Sequence, residues 1–392
     1  MFGLSRNVVA LGLVSLLTDV SSEMIYPLLP LFLTSVLGAG PTFVGLVEGI
    51  AESASSITKL FSGRLSDRLG RRKGLVVAGY TLSTLARPLV AFALAPWHVL
   101  LVRFTDRLGK GLRTSPRDAL IAGSTEPHIR GRAYGFHRSM DHLGAVAGPA
   151  LAFVFLLLMG GQLRTLFLLA AIPGILSILI LILKVSEIQV NSTAAPKATP
   201  GTGRLDAQLT RFLIVVTLFT LGNSSDAFLL LRAQEVGIAV AHLPLLWMFF
   251  SLVKAVTGMP GGMLSDLKGR RGTIIAGWLV YAVAYLGFGA ASQPWHIWVL
   301  IGFYGLYFGL TEGGERALIA DLVSPDRQAS AFGLFHFCIG IAALPSSLLM
   351  GYLYQSFGAR PAFTIGAALA GLSAFLLLML LHPPSVQAQT DA

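Results

Sequence analysis

Gly63-Arg64-Leu65-Ser66-Asp67-Arg68-Leu69-Gly70-Arg71-Arg72-Lys73 separates two apolar segments, and it returns in the second half as Gly262-Met263-Leu264-Ser265-Asp266-Leu267-Lys268-Gly269-Arg270-Arg271. The echo does not stand alone. Pro96-Trp97-His98 matches Pro294-Trp295-His296 at an offset of 198 residues, and the same offset aligns Ala119-Leu-Ile-Ala122 with Ala317-Leu-Ile-Ala320, Pro127 with Pro325 and Gly135 with Gly333. An ungapped match across two helices and a loop marks a duplicated unit. Parallel repeats related by an axis along the membrane normal are a transporter architecture, with the substrate path between the halves.

The residues around these landmarks are apolar. The 392-residue chain is 54% hydrophobic and only 12% charged, with a mean hydropathy of +0.72. A soluble domain carries roughly 25% charged residues. Apolar segments fall at 6–36, 43–67, 74–95, 97–124, 128–158 and 164–184, and again at 209–236, 242–266, 272–291, 295–321, 326–354 and 361–382. One crossing takes about 20 apolar residues, so twelve fit. The expected fold is an all-α polytopic membrane protein of twelve helices in two six-helix pseudo-repeats. Its units are 1–184, a linker at 185–210 rich in Pro, Gly, Ser and Thr, and 211–392. The first segment runs on to Leu37 without a small-residue cleavage site, so it reads as a membrane helix and not as a removable signal. A single cysteine excludes a disulfide scaffold and a cysteine-built zinc site.

The net charge of +10 sits in short loops between spans. Arg68, Arg71, Arg72 and Lys73, their counterparts Lys268, Arg270 and Arg271, then Arg130, Arg132 and the linker's Lys184, Lys197, Arg204 and Arg211 all lie on one side. The alternate loops carry almost none; only Arg164, Arg232 and Arg360 lie near that side. The bias expects both termini and the linker in the cytoplasm and the protein in the cell (inner) membrane. It is a topology signal, so no nucleic-acid partner is expected. The chain is expected to act as a monomer in the lipid bilayer.

The paired loop resembles the signature of the major facilitator superfamily, G-x-x-x-D-R-x-G-R-R/K, which casts Gly63, Asp67, Arg68, Gly70, Arg71, Asp266 and Arg270 as its gating residues. An acid at a helix end can meet the N-terminus of a neighbouring helix. Leu267 replaces the arginine after the second acid. Arg103-Phe-Thr-Asp-Arg107-Leu-Gly109 is similar to a second family pattern, with Arg107 where glycine is usual. Gly135, Gly144, Gly148 and Pro149, followed by Ala152, resemble the fifth-helix pattern of antiporters and exporters; ordinary close packing explains small residues there equally well. Asp19-Val-Ser-Ser-Glu23-Met, with Gly109 to Ala122, is similar to a poorly characterised prokaryotic permease and exporter subgroup.

Ionisable residues at membrane depth are costly and commonly line a path or a relay. Asp19 and Glu23 are one turn apart, as are Glu48 and Glu52. Arg103, Asp106, Arg107, Lys110, Arg113 and Arg117 share about 120° of one helix, and Arg138, Asp141 and His142 share a face of the next. At the repeat offset Arg103, Asp106, Arg107 and Lys110 become Ile301, Tyr304, Gly305 and Phe308, so the charges were not duplicated with the fold. Mutual neutralisation by ion pairing is the competing explanation. Asp226 echoes Glu23 in the second half.

No Walker A loop and no G-x-S-x-G or H-E-x-x-H catalytic motif is present, so no enzyme, cofactor or ATP drive is expected. The resemblance implies secondary active transport by alternating access. The expected activity is proton-coupled antiport that exports a small organic compound. Its proton-coupling and cavity residues are expected to be Asp19, Glu23, Arg103, Asp106, Arg107, Arg138, Asp141 and Asp226. A divalent metal (nickel or iron type) exporter ranks next, without a metal-ligand motif to support it, then an organic anion transporter or a non-transporting membrane sensor.

Overall fold

The computed structural model describes residues 3–39, 41–158, 162–188, 207–239 and 242–381. Twelve helical segments run in order: α1 Arg6–Val36, α2 Pro41–Leu69, α3 Lys73–Phe92, α4 Pro96–Gly123, α5 Pro127–Leu158, α6 Leu163–Lys184, α7 Ala207–Glu235, α8 Leu243–Lys268, α9 Arg270–Ala290, α10 Pro294–Leu322, α11 Pro325–Phe357 and α12 Ala359–Leu380. Among the described residues nine are long and apolar enough to cross a membrane by composition alone. The other three are α2 and α4, which carry the charges, and α10, rich in Tyr, Trp and Gly. Leu94, Leu157 and Leu183 are among the most exposed residues, on an outer surface that suits lipid and not water. The core of the expected linker, 189–206, and the C-terminal 382–392 lie outside the described residues.

Local chemistry sets the ends. Pro96 and Pro294 open α4 and α10, where a missing N–H costs nothing. His98 Nδ1 then accepts the amides of Leu94 and Ala95, and His296 Nδ1 accepts that of Ser292. Gly70 turns between α2 and α3 at φ +61°, and Gly269 between α8 and α9 at φ +91°. The three arginines of the poorly charged side include two structural caps. Arg164 donates to the carbonyls of Ala91 and Ala93, and Arg232 to those of Phe288 and Ala291. Long cationic side chains suit carbonyls freed at helix ends.

Two segments are broken. Regular helix in α1 stops at Glu23, and a tighter turn with Pro27 follows; proline there removes the donor for the Glu23 carbonyl. In α7 regular helix ends at Gly222 and restarts at Ala227, after Asn223-Ser-Ser-Asp226. Discontinuous helices are where transporters expose backbone and polar groups to a cavity.

Within the first six segments the main contacts are α1 with α5 and α6, and α4 with α2 and α3; within the last six, α9 with α10 and α12, α8 with α10, and α7 with α11 and α12. Between the sets, α5 meets α8 and α10, and α11 meets α2 and α4.

Candidate functional site

The basic loops meet their partners across the two sets. Asp67 accepts the backbone amides of Ala329 (3.2 Å) and Ser330 (2.6 Å) at the start of α11. Asp266 accepts those of Gly131 (2.8 Å) and Arg132 (2.7 Å) at the start of α5, and Arg270 braces the same carboxylate. Each acid therefore caps the positive end of a helix from the other set. The leading glycines sit where the backbones touch. A β-carbon on Gly63 would run into the Ala329 carbonyl, and one on Gly262 into the Gly131 carbonyl. Arg68 and Arg71 lie exposed. The arginine drawn inside is Arg72, only 2% exposed, which donates to the carbonyls of Ala119 and Pro325.

Replacing Asp67 by asparagine should weaken this contact, worth about 0.3–1 kcal/mol. Thiol labelling of a cysteine placed at buried Gln328 should then rise about two- to fivefold. An unchanged labelling rate would reduce the loop to a topology signal.

Behind these contacts, α4 turns its charged stripe inward. Gly109 lets it approach α3 and Gly111 lets it approach α2: a β-carbon at either would overlap neighbouring backbone. Arg103 binds Glu48 with two bonds of 2.9 and 2.6 Å, and its guanidinium lies 3.7 Å above the Tyr26 ring. Asp106 takes the Nε of Arg87 at 2.8 Å and the Tyr26 hydroxyl, while Arg87 also donates to the Thr18 carbonyl in α1. Arg103 and Asp106 are thus committed to ion pairs. Arg107 comes no closer than 3.9 Å to Glu52.

On α5, Arg138 bridges Asp141 (2.6 Å) and Glu312 of α10 (3.0 and 2.6 Å), and His142 meets the other Glu312 oxygen at 2.7 Å. Ser15 donates to Asp141. Deeper toward the basic face, Asp118 pairs with Arg117 (3.0 Å) and with His336 of α11 (2.8 Å). Histidines 142 and 336 are therefore tied to carboxylates. Among the described residues no group of three His, Cys, Asp or Glu is placed to hold a metal ion.

Asp19 and Glu23 differ from Asp106, Asp118 and Asp141, which are held in ion pairs. Gly144 and Gly148 of α5 leave no room for a β-carbon beside their β-carbons, at 2.8 and 2.7 Å, so the small-residue pattern presses the acidic face of α1 onto α5. Asp19 lines a cavity of about 280 Å³ between the two sets, together with Lys110, Arg113, Arg138 and Arg316. Among the described residues neither Asp19 nor Glu23 has an ion-pair partner. A second cavity of about 200 Å³ abuts it, lined by Asn223, Tyr307, Phe308, Glu312 and Arg316. Asp226 lies at the α7 break, where Tyr304 donates to it at 2.8 Å. The Lys254 ammonium sits over Phe250 and Phe308, 4.0 and 4.8 Å from their centres.

Sequence reasoning placed most of these groups but overlooked Arg87 and Tyr26. The signal for Arg87 was its position, an arginine late in an apolar span ahead of proline, beside an α4 acid that needed a partner.

The family model of the Major Facilitator Superfamily matches residues 11–231 and 210–392. The chain is 35% identical over 383 residues, 96% of its length and 95% of the relative's, to an uncharacterised MFS-type transporter of Methanocaldococcus jannaschii. Over 134 residues, 34% of this chain and 33% of the other, it is 31% identical to the multidrug resistance protein MdtH of Photorhabdus laumondii. Its fold is similar to that of the human organic anion transporter MFSD10 (TETRAN), with a TM-score of 0.80 at 18% identity, over 95% of this chain and 99% of that one. Twelve helices, acids that clasp the opposite set of helices and a polar cavity between the sets agree with that match: the chain belongs to the Major Facilitator Superfamily, a family of membrane transporters and not of enzymes.

Proposed function

We propose that this secondary transporter couples the movement of a small organic compound to protons, with Asp19 and Glu23 as the proton-carrying groups. One observation carries this reading: two acids at membrane depth, without ion-pair partners among the described residues, beside the cavity between the halves. A carboxyl group in a water-poor cavity can load and release a proton as access changes sides. Asp226, held by Tyr304, is the second-half counterpart.

The moving units are the halves 1–184 and 211–392, joined by 185–210, with the basic loops and both termini on the cytoplasmic side. The Asp67 and Asp266 contacts close that side. The multidrug-resistance relatives and the glycines of α5 packed on the acidic face of α1 are the features that speak for export by exchange.

The test is proton movement into dye-loaded liposomes carrying the purified protein. Asp19→Asn with Glu23→Gln should abolish gradient-driven proton movement and leave helicity and elution unchanged. Full coupling in the double variant would remove both acids from the mechanism.

A further inference from the structure

The cavity holds more cationic than anionic capacity once each side chain is assigned its partner. Arg138 is taken by Asp141 and Glu312, and Arg117 by Asp118. Lys59 has only Glu52, at 3.9 Å. Arg113, 4% exposed, donates one bond to the Ser83 hydroxyl (2.9 Å) and covers the Tyr80 ring, and its Nε has no partner. Arg316, 8% exposed, donates to the Glu312 carbonyl; its Nε has no hydrogen bond and lies 3.9 Å from Asp118. Lys110 makes no ion pair among the described residues. Against these three, Asp19 is the one lining acid without an ion pair. Buried cations left short of partners are unfavourable, and a ligand that supplies them is bound accordingly.

We propose that the substrate is a small organic anion with an apolar tail, held by Lys110, Arg113 and Arg316, and that it crosses together with a proton on Asp19. The inference rests on reading this cavity as the transport site. A volume of about 280 Å³ suits a small acid better than a drug-sized molecule. The adjoining cavity shares Arg316 and His336 with the first and adds Phe219, Phe308 and Ile339, an apolar wall for the tail, opposite Glu312 and Glu315, which are held by Arg138 and by the Trp278 indole.

The coupling follows from charge. Ionised Asp19 is the internal counter-ion of the three cations, so it competes with the substrate's own negative group. A proton taken from water onto Asp19 removes that competitor, and its loss on the far side restores it. Proton and anion therefore bind together, in place of the exchange expected from the α5 glycines. Facing Asp19 are Glu23 on its own helix, Lys110 and Arg113 on α4, and Asp141, Arg138 and His142 on α5. Lys59 on α2, Arg117 on α4, Arg316 on α10 and His336 on α11 complete its ionisable lining. The ionisable residues of α6, Arg164 and Lys184, lie near its two ends.

The probes are phenylacetate, benzenesulfonate, phenethylamine and phenylethanol, tested for binding to the full chain by thermal shift at pH 5.5 and pH 8. The two anions should raise Tm by about 3 °C or more at saturation, more strongly at the lower pH. Lys110→Gln should weaken them about tenfold or more, and Lys110→Arg should restore most of the affinity. Asp19→Asn should bind them with no dependence on pH. Absence of an anion shift, or a shift that Lys110→Gln leaves unchanged, overturns the proposal. A liposome assay with labelled benzenesulfonate, which does not cross the bilayer unaided, separates the two readings. Flux of the amine alone overturns the anion class and leaves the transport reading standing. Anion binding with no flux under any gradient overturns the transport reading instead.

Discussion

Replacing Arg87 by leucine should destabilise the protein by about 3–5 kcal/mol, the usual cost of removing one partner from a buried ion pair. Asp106 is 2% exposed and would keep only the Tyr26 hydroxyl and the more distant Arg103, 3.8 Å away. The Thr18 carbonyl in α1 would lose its side-chain donor as well. Thermal unfolding in detergent is the measurement. The double variant Arg87→Leu with Asp106→Leu should recover much of the loss, since it leaves no unpaired charge. A single variant as stable as the parent would mean that Asp106 finds another partner or a proton.

The second large effect is expected where backbones touch across the halves. Gly262→Val and Gly63→Val place a side chain against the carbonyls of Gly131 and Ala329. Neither carbonyl can step aside without moving a helix, so the basic-loop side should fail to close. Transport should fall to background while cysteine labelling at Gln328 rises. Gly74→Ala and Gly272→Ala, with nothing within 4 Å of the added carbon, serve as controls and should transport normally. Retained transport in both valine variants would show that closure does not need this approach.

The fold was legible because its signals are periodic or repeated. Proline at residues 96 and 294, glycine at 70 and 269, and apolar runs of membrane length each act locally, and the duplication gave every one a second reading. The family match bears out the twelve helices and the superfamily resemblance. The candidate site was legible as a set of residues but not as pairs. Nothing in sequence spacing joins Arg103 to Glu48, 55 residues away, or Arg138 to Glu312, 174 away, because helix packing decides those contacts. The stripe on α4 was readable as a stripe. That it splits into committed pairs near Arg103 and at Arg117, with under-partnered cations at Lys110 and Arg113 between them, depends on what the neighbouring helices bring to it. The same limit hid Tyr26, whose ring and hydroxyl serve Arg103 and Asp106 from the irregular turn within α1.

The clasps at Asp67 and Asp266 also bear on how the halves share time between their arrangements. In each, two main-chain amides of the facing helix donate to the carboxylate. Two such contacts at about 0.3–1 kcal/mol apiece bias the closed form by only about three- to thirtyfold. A ligand with a comparably small preference for one arrangement is enough to reverse that balance. The clasps themselves thus set only a small part of the balance between the arrangements, a part that one bound molecule can offset.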